Sequence, residues 1–349
     1  MRHTIRLTGD INLVGIEDPA VPFGLVKDQL HKEDIVFGNL ECCLYDPPGQ
    51  RGLGDDTTSG YEGLYAPAKS GASLNLAGYH GVGNANNQNY GAEAIMASNA
   101  RLDELAIAHC GTGANRKAAW APIIIERNGL RCGILQRTSQ YWPNNHEAGD
   151  TVAGVATMKA YTAYQPPYYK TGGIPPNRPG MPATVVTWTD TKYLAQYREE
   201  VAALRKQADI VIASHHWGYG DEVLEYMQEI AHAAIESGAD IVMGHGPHHP
   251  MPIEIYRNKP IYYGLGMFCF AFSNKKRHFG WTGMTANFTL EDKQLVRAAY
   301  SLVRQDERTQ VLLRSLRDET EQATRVAKLS QQYGTSIELD GDEGVVWRR

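Results

Sequence analysis

The chain has 349 residues, of which 42% are hydrophobic and 21% charged, and this composition is typical of a globular protein with a sizeable core. Its net charge of -5 gives no electrostatic reason to expect a nucleic-acid partner. The five cysteines show no CxxC spacing, no apolar run is long enough to cross a bilayer, and the N-terminus lacks a signal-peptide pattern, so we expect a cytoplasmic protein with no membrane partner.

The first 140 residues predict short strands that alternate with helices and loops. An Asn128-Gly129 turn joins the last two of these strands, as in a β-hairpin. The expected strands are Ile5–Thr8, Ile35–Phe37, Ala121–Ile125 and Cys132–Leu135, the expected helices are Leu25–His31 and Gly91–His109, and Pro47–Gly71 is an expected loop.

Residues 141–190 show no clear periodicity and are rich in proline, glycine and aromatic residues. A segment this long without regular structure is typically a functional cover or disordered. Because aromatic side chains are unfavourable in water, we expect it to fold over a substrate pocket as a lid, with Tyr168 or Tyr169 near the substrate.

The second half of the chain alternates helices with strands, a pattern that favours a layered α/β fold. The expected helices are Lys192–Gln207, Glu222–Glu236 and Arg308–Gln332 (a C-terminal helix at about 308–333), and the expected strands are Ile210–Ala213, Ile241–Met243, Ile253–Tyr256, Ile261–Tyr263, Thr285–Leu290 and Leu295–Val303. No linker divides the chain, so we predict one domain over residues 1–349.

Small polar clusters follow five of the expected strands. They are Asp10 with Asn12, Asn39 with Glu41, Asn86 with Asn87, His215 with His216, and His245 with His248. Ligands of α/β proteins bind beyond the carboxyl ends of the strands, where loops from several strands meet. Carboxylate, amide and imidazole groups together form a ligand set for a divalent ion such as Mn, Fe or Zn.

The last of these clusters lies in GHGPHHP, residues 244–250, which holds three of the 12 histidines of the chain. The sequence resembles the CapA family of poly-γ-glutamate and capsule synthesis proteins through this segment and several others in the same order. The matching segments are Gly9-Asp10, Asn39-Leu40-Glu41, Ala85-Asn86-Asn87, His216-Trp217-Gly218 with Glu222, Gly238-Ala239-Asp240 leading into Gly244–His248, and Tyr263-Gly264-Leu265-Gly266.

This resemblance implies a two-sheet α/β sandwich of the calcineurin-like metallophosphoesterase type, with helices on the outer faces. It also implies a metal centre at the strand ends that holds one or two divalent ions. The implied ligands are Asp10, Glu41, Asn87, His216, His245 and His248, and His249 lies outside the pattern.

Three departures from the family pattern reduce this ligand set. Asn12 stands where phosphoesterases of this fold have the histidine of D-x-H, and Gln88 replaces the histidine that ends the family's ANNH segment. Met267 replaces an amide in the family's YSLGNF segment. The site is therefore expected to hold two ions, one ion or none.

Three functions are compatible with this pattern. The first is a metal-assisted hydrolase of an amide, peptide or γ-glutamyl-type bond, in which Glu41 or Glu222 orients or deprotonates water. The second is a metal-independent epimerase that uses Asp10 with His216 or His248 as an acid–base pair at a Cα of a peptide or amino acid. The third is a non-catalytic, capsule-type protein that binds a polymer or peptide.

The substrate is expected to be a small molecule or peptide, and the oligomeric state is not indicated. Gln88 can hydrogen-bond an oxyanion, and Arg137 can bind a substrate carboxylate. Trp217 is expected to line the pocket. Together with Tyr168 and Tyr169, these residues are the candidate substrate contacts.

Overall fold

A computed structural model of the chain describes residues 1–47, 65–144, 146–166, 180–270 and 282–349. In these residues the chain forms strands β1 to β22, in chain order Arg2–Asn12, Ile35–Leu40, Cys43–Leu44, Tyr65–Ala66, Gly81–Gly83, Ala108–Cys110, Thr112–Gly113, Ile123–Arg127, Leu130–Thr138, Gly154–Val155, Ala160–Gln165, Thr184–Thr189, Ile210–His216, Ile241–His245, Ile253–Tyr256, Lys259–Tyr262, Met267–Phe270, Gly283–Glu291, Gln294–Gln305, Val311–Arg314, Glu338–Asp340 and Glu343–Arg348. Helices α1 to α7 span Lys27–Leu30, Ala72–Leu76, Ala92–Glu104, Arg116–Trp120, Thr191–Arg205, Glu225–Glu236 and Thr320–Gln331, and a 3₁₀ turn spans Ala68–Gly71.

Two large sheets dominate the architecture. The first runs β21-β22-β19-β18-β1-β2-β5-β6, with β17 against β1 and β20 against β19. The second runs β15-β16-β14-β13-β9-β8. Strands β1, β2, β5 and β6 are mutually parallel in the first sheet, as are β9, β13, β14 and β16 in the second. The carboxyl ends of the parallel strands therefore lie in a row along one edge of each sheet.

The main hydrophobic core lies between the sheets. Alternate residues of the central strands point inward, as Ile35 and Phe37 do in β2 and Ile210 and Ile212 do in β13. These residues pack in one buried cluster with inward residues of both sheets, including Ile5, Leu7, Ile134, Ile241, Met243 and Phe288.

Helices cover the outer face of each sheet. Leu30, Leu74 and Leu102 of α1, α2 and α3 pack with Val36 and Val82 of the first sheet. On the second sheet, residues of α5 and α6 pack against the outward residues of β13 and β14, with Val201, Met227, Ile230, Val211 and Val242 in one cluster. The predicted two-sheet α/β sandwich with outer helices is confirmed.

Tight turns join several of the antiparallel strands where the sequence predicts them. Asn128 and Gly129, between β8 and β9, both have positive φ angles of 50° and 77°. Arg257 and Asn258, between β15 and β16, also have positive φ angles. Two consecutive left-handed residues match the right-handed twist of the strands that they connect.

The C-terminal region differs from the prediction of one helix at about 308–333. Residues 311–314 form β20, which pairs antiparallel with β19, and Val311 is buried in the core beneath α1 to α3. Thr309, with a φ of 66°, makes the turn between the two strands. The helix therefore begins only at Thr320.

Residues 141–190 contain more regular structure than the sequence indicates. Strands β11 and β12 form an antiparallel pair, and Glu225 of α6 accepts hydrogen bonds from both the backbone and the hydroxyl of Thr187. Tyr168 and Tyr169 lie outside the described residues, so their contact with substrate stays a prediction. The organisation of the chain as a single domain also stays a prediction.

No helix in the described ranges combines the length and the apolar character that crossing a bilayer requires.

Candidate metal centre

Polar side chains replace the apolar inward residues at the carboxyl ends of the parallel strands. In β2 the inward series Ile35, Phe37 continues to Asn39, and in β14 the series Ile241, Met243 continues to His245. Strand β13 ends in the same way at His216, which is paired in register with His245. The two packed sheets therefore bring polar groups from several strands to one edge, although these groups are distant in sequence.

Asp10 reaches this edge because β1 is irregular there. The register of β1 against β2 shifts between Thr8 and Asp10, so Asp10 pairs with Asn39 and joins the inner face. A bulge of this kind re-aims one side chain without ending the strand. Gly9 permits it, since a Cβ at this position would lie only 1.8 Å from the carbonyl oxygen of Gly266.

Asp10, His216 and His245 form the first group of donor atoms. Nδ1 of His245 lies 3.8 Å from Oδ1 of Asp10 and 3.0 Å from Nδ1 of His216. One donor atom from each residue lies within 4.8 Å of the other two, and all three side chains are buried. This spacing suits one cation.

Asp10, Glu41 and His248 form a second group of the same kind. Nε2 of His248 lies 3.8 Å from Oδ2 of Asp10 and 3.4 Å from Oε1 of Glu41. His248 has a left-handed backbone with a φ of 65°, and its side chain is 37% exposed. Asp10 belongs to both groups: its Oδ1 lies beside His245 of the first group and its Oδ2 beside His248 of the second.

Polar contacts with neighbouring side chains orient the two imidazoles of the first group. Nε2 of His216 donates to Oδ1 of Asn87 at 2.8 Å, while Nε2 of His245 lies 2.9 Å from Oγ of Ser214. Such contacts orient a metal-binding histidine and select its tautomer. Asn87 therefore contacts Nε2 of His216, whereas Nδ1 of the same ring lies beside Nδ1 of His245.

A buried network of amides lies below the carboxylate. Nδ2 of Asn39 donates to Oδ1 of Asp10 at 2.8 Å, and Oδ1 of Asn39 accepts from Asn86 at 3.1 Å and from Gln136 at 2.8 Å. The backbone N–H of Gly246 donates to the other oxygen of Asp10 at 3.2 Å. Both carboxylate oxygens thus have a fixed orientation.

The two carboxylates influence each other. Burial, and then the charge of Glu41, raises the pKa of Asp10 to about 8. Burial alone would also raise the pKa of Glu41, but the charge and hydrogen bond of His248 outweigh it and lower that pKa. The same carboxylates overcome the effect of burial on His248 and raise its pKa to about 9.

The imidazoles of the first group are neutral at ordinary pH. Burial is the main cause that lowers the pKa of His216 to about 3 and the pKa of His245 well below its usual range. A neutral imidazole has a free lone pair, which is the form that binds metal ions.

The donor set fits a divalent cation. Oε2 of Glu41 is buried and has no hydrogen-bond partner among the described residues. An orphaned buried carboxylate oxygen is costly, and a cation next to it would remove that cost. Carboxylate oxygens with the neutral imidazole nitrogens of His216 and His245 suit Mn, Fe or Zn.

Three of the residues expected at the site lie elsewhere. Arg137 is not available to a substrate carboxylate, because its buried guanidinium donates to Glu200 and to the backbone carbonyls of Gln136 and Trp120. Trp217 does not line a pocket, since it is fully buried, stacks on His215 and donates its indole N–H to the carbonyl of Tyr263.

Glu222 is the third residue placed outside the cluster. It lies in the exposed loop before α6, where its charge acts on Tyr333. This position corrects the expectation that it acts on a water molecule at the cluster. Within the described residues, Glu41 is the acidic partner of Asp10 at the site.

Two replacements of family-typical residues have structural roles. Asn12 donates to the carbonyl of Glu41 and accepts from the backbone N–H of Val14, so it shapes the loop that carries Glu41. The backbone N–H of Gln88 donates to Oδ1 of Asn86, which keeps Gln88 in the loop beside Asn87.

The sequence does not single out three residues that support the site. Gln136 and Ser214 contact His245, and they lie on the inward face of β9 and β13. His146 accepts from the backbone N–H of Trp142 and lies 2.9 Å from the carbonyl of Asn89. The start of the 141–190 segment is therefore fixed beside the Asn86–Asn89 loop, where the indole N–H of Trp142 also donates to the carbonyl of Asn87.

Curated relatives resemble the chain over different parts of its length. A protein of Sinorhizobium fredii, y4sH, is 26% identical over 283 residues, which are 70% of this chain and 61% of that protein. The capsule biosynthesis protein CapA of Bacillus anthracis is 26% identical over 71% of this chain and 53% of its own length. The PGA biosynthesis protein CapA of Bacillus subtilis is 40% identical over 72 residues, which are 20% of this chain and 19% of that protein. The chain thus spans less than two thirds of the length of these relatives.

Two solved structures are also similar. A hypothetical protein from Thermus thermophilus has a TM-score of 0.47 and 15% identity, and the match covers 86% of this chain and 98% of that one. A novel phosphatase from Mycoplasma pneumoniae has a TM-score of 0.43 and 11% identity, with 89% and 91% covered.

The family profile described as bacterial capsule synthesis protein PGA_cap matches residues 4–271. This range extends from β1 through β17 and includes Asp10, Glu41, Asn87 and all three site histidines. The chain therefore belongs to the PGA_cap family of bacterial capsule synthesis proteins.

Proposed function

We propose that the protein is a metal-assisted hydrolase of an amide, peptide or γ-glutamyl-type bond. Asp10, His216 and His245 would hold one divalent ion, and Asp10, Glu41 and His248 a second. The observation that supports this most strongly is the shared position of Asp10 between two donor groups, next to the orphaned Oε2 of Glu41. When bound, an ion at these residues would polarise a carbonyl oxygen and acidify a water molecule.

The other roles in the reaction, which are proton transfer, substrate contact and orientation of the ligands, are assigned to residues by their positions in the site. Glu41, buried beside Asp10 and His248, would accept a proton from the attacking water. His248 is the partly exposed member of the cluster, so its ring is the one that an incoming substrate meets. Asn87 and the Asn39 amide keep His216 and Asp10 oriented while the substrate binds.

The choice of bond rests on the relatives. Those from Bacillus subtilis and Bacillus anthracis are named for PGA and capsule biosynthesis, and this favours a γ-glutamyl-type amide over a phosphate ester. A capsule-related role for this chain is part of the same proposal.

Asp10→Asn is the first test, because it removes the group that both cation positions share. We expect protein purified without chelator to contain Mn, Zn or Fe by elemental analysis, and the variant to contain at least tenfold less. Hydrolysis of γ-glutamyl peptides should fall by about 10³-fold or more. Asp18→Asn, an exposed change near the same strand, is the matched control. Wild-type protein that hydrolyses these substrates equally well after chelation would refute the metal role.

A metal-independent epimerase is a second candidate, and one observation favours it. Oδ2 of Asp10 lies 3.8 Å from Nε2 of His248, and the pKa values of these two groups are raised to about 8 and about 9. An acid and a base with pKa values near the working pH can exchange protons with a substrate Cα.

Incubation of candidate peptides in deuterated water decides between the two functions: deuterium at the Cα of intact peptide indicates epimerisation, and cleaved peptide without such label indicates hydrolysis. Binding with neither reaction would instead indicate a non-catalytic polymer- or peptide-binding protein.

A further inference from the structure

Arg325 connects helix α7 to the two loops that carry the site histidines. One terminal nitrogen of its guanidinium donates to the carbonyl of Pro250 at 2.8 Å, and the other donates to Oδ1 of Asp221, also at 2.8 Å. Helix α7 lies outside residues 4–271, the part of the chain that matches the family. The contact therefore joins a C-terminal element to the family site.

Both acceptors of Arg325 lie in loops that directly follow strands ending in site histidines. Pro250 ends the turn that begins at His245 and contains His248, and Asp221 lies in the loop that follows His216. Nε2 of His249 lies 2.8 Å from the same oxygen of Asp221. Arg325, Asp221 and His249 thus link the two loops.

The turn with His248 depends on its surroundings for its shape. His248 has a φ of 65°, a backbone conformation that is uncommon for a residue with a side chain and that contacts with neighbouring structure help to maintain. Gly266 supports the turn from one side, since a Cβ there would lie 2.9 Å from the backbone of His249. Arg325 holds the end of the turn through the Pro250 carbonyl.

Helix α7 is itself fixed on the edge of the second sheet. The backbone N–H of Ile253 donates to Oγ of Ser330, and that of Ile255 donates to Oγ1 of Thr335 just beyond the helix. These bonds satisfy donors of edge strand β15 and anchor the helix that presents Arg325. The guanidinium of Arg325, with its two acceptors, thus links the helix to both loops.

We infer that Arg325 is a positioning residue that holds His248 in place opposite Glu41 and Asp10, so that helix α7 sets the affinity of the second cation position. The cation part of this inference rests on the proposed function. The positioning part does not, because it concerns the backbone of the turn in the metal-free protein.

The test compares Arg325→Met with Lys328→Met, an exposed change on the same helix. Hydrogen exchange of the metal-free, full-length proteins should be faster in peptides that cover residues 244–250 and 217–222 of Arg325→Met alone. In calorimetric titration with Mn²⁺, one of two binding events should weaken about tenfold in Arg325→Met, and the other should stay unchanged. Asp221→Asn, which removes the negative charge of one acceptor and leaves the helix intact, should reproduce both effects in part.

Unchanged exchange in residues 244–250 of both Arg325→Met and Asp221→Asn overturns the inference. So does faster exchange that is confined to α7, because that result indicates a role in helix stability only. If Arg325→Met does not fold, Asp221→Asn and Arg325→Lys provide the same comparison, and Arg325→Lys should restore the Pro250 contact but not both contacts together. Wild-type protein that binds no Mn²⁺ contradicts the proposed function, and the exchange data still decide whether Arg325 positions the turn.

Discussion

At the scale of single residues, neutral amides hold the ligands of the site in place. Gln136 lies between the two sheets, where its Nε2 donates to Oδ1 of Asn39 and lies 3.1 Å from Nε2 of His245. Gly83 leaves room for it, since a Cβ at that glycine would be 1.6 Å from Oε1 of Gln136. This one side chain therefore contacts a ligand of the second sheet, His245, and the amide of the first sheet that donates to Asp10.

Gln136→Leu should weaken both the fold and the site. The substitution removes one of the two hydrogen bonds to the buried oxygen of Asn39, which costs about 0.5–1.5 kcal/mol of unfolding free energy. Loss of the contact with His245 should also lower Mn²⁺ affinity by about 10-fold or more. Urea unfolding and calorimetric titration measure the two effects, and Gln207→Leu, at an exposed glutamine, should change neither by a comparable amount. A variant as stable as the wild type with full Mn²⁺ affinity would contradict this role.

The sequence locates most of the donor residues but not their supports. Asp10, His216 and His245 are predictable because polar residues directly follow apolar strands, and parallel strands end at one edge. Gln136 is missed because the expected strand stops at Leu135, whereas the real strand continues to Thr138. Arg137 is misassigned for the same reason: as part of that strand it points outward, towards Glu200 of α5.

At the scale of elements, the bulge in β1 decides whether Asp10 faces the site. The hairpin turns are predictable because residues such as Asn128 and Gly129 adopt left-handed backbones readily. The bulge has no such local signal. It depends on the close approach of Gly9 to Gly266, two residues that are far apart in sequence.

Gly9→Ala should therefore disturb the site more than an ordinary substitution of glycine. The added methyl group would lie 1.8 Å from the carbonyl oxygen of Gly266, so β1 and the segment before β17 would have to separate. We expect a loss of about 1–3 kcal/mol in unfolding free energy, together with weaker Mn²⁺ binding as Asp10 moves. Gly149→Ala is the control, because its nearest new contact is an ordinary 3.5 Å from Val152. Equal stability of the two variants would show that β1 accommodates the methyl group.

At the scale of the whole molecule, the layered α/β class follows from the alternation of helices and strands, but the division into two sheets does not. Strand β1 pairs with β18, nearly 280 residues away, and no local pattern predicts such a pairing. The same packing also buries several imidazoles. His215 illustrates this, since it faces the outer layer and lies 2.6 Å from the hydroxyl of Tyr197.

These buried imidazoles should make the stability of the metal-free protein depend on pH. Burial, and then the charge of Arg137, lowers the pKa of His215 to about 3, and burial lowers the pKa of His146 to about 4. Between the ordinary pKa of about 6.5 and these values, the unfolded chain binds protons that the folded chain does not. The stability that these imidazoles contribute should therefore be lost as the pH is lowered through this window, and this contribution should be fully present above it.

His215→Asn isolates the contribution of one imidazole to this dependence. Between pH 6 and pH 4, the unfolding free energy of the wild type should fall more steeply than that of the variant, by up to about 1.4 kcal/mol per pH unit, which corresponds to one proton. Urea unfolding at several pH values, with a chelator present, gives the slope of the unfolding free energy against pH for the wild type and for the variant. A constant loss of stability caused by the substitution does not change this slope. His31→Asn, at an exposed histidine, should keep the wild-type slope. If His215→Asn keeps it as well, the imidazole of His215 is protonated in the folded protein, and the buried, neutral state assigned to it is wrong.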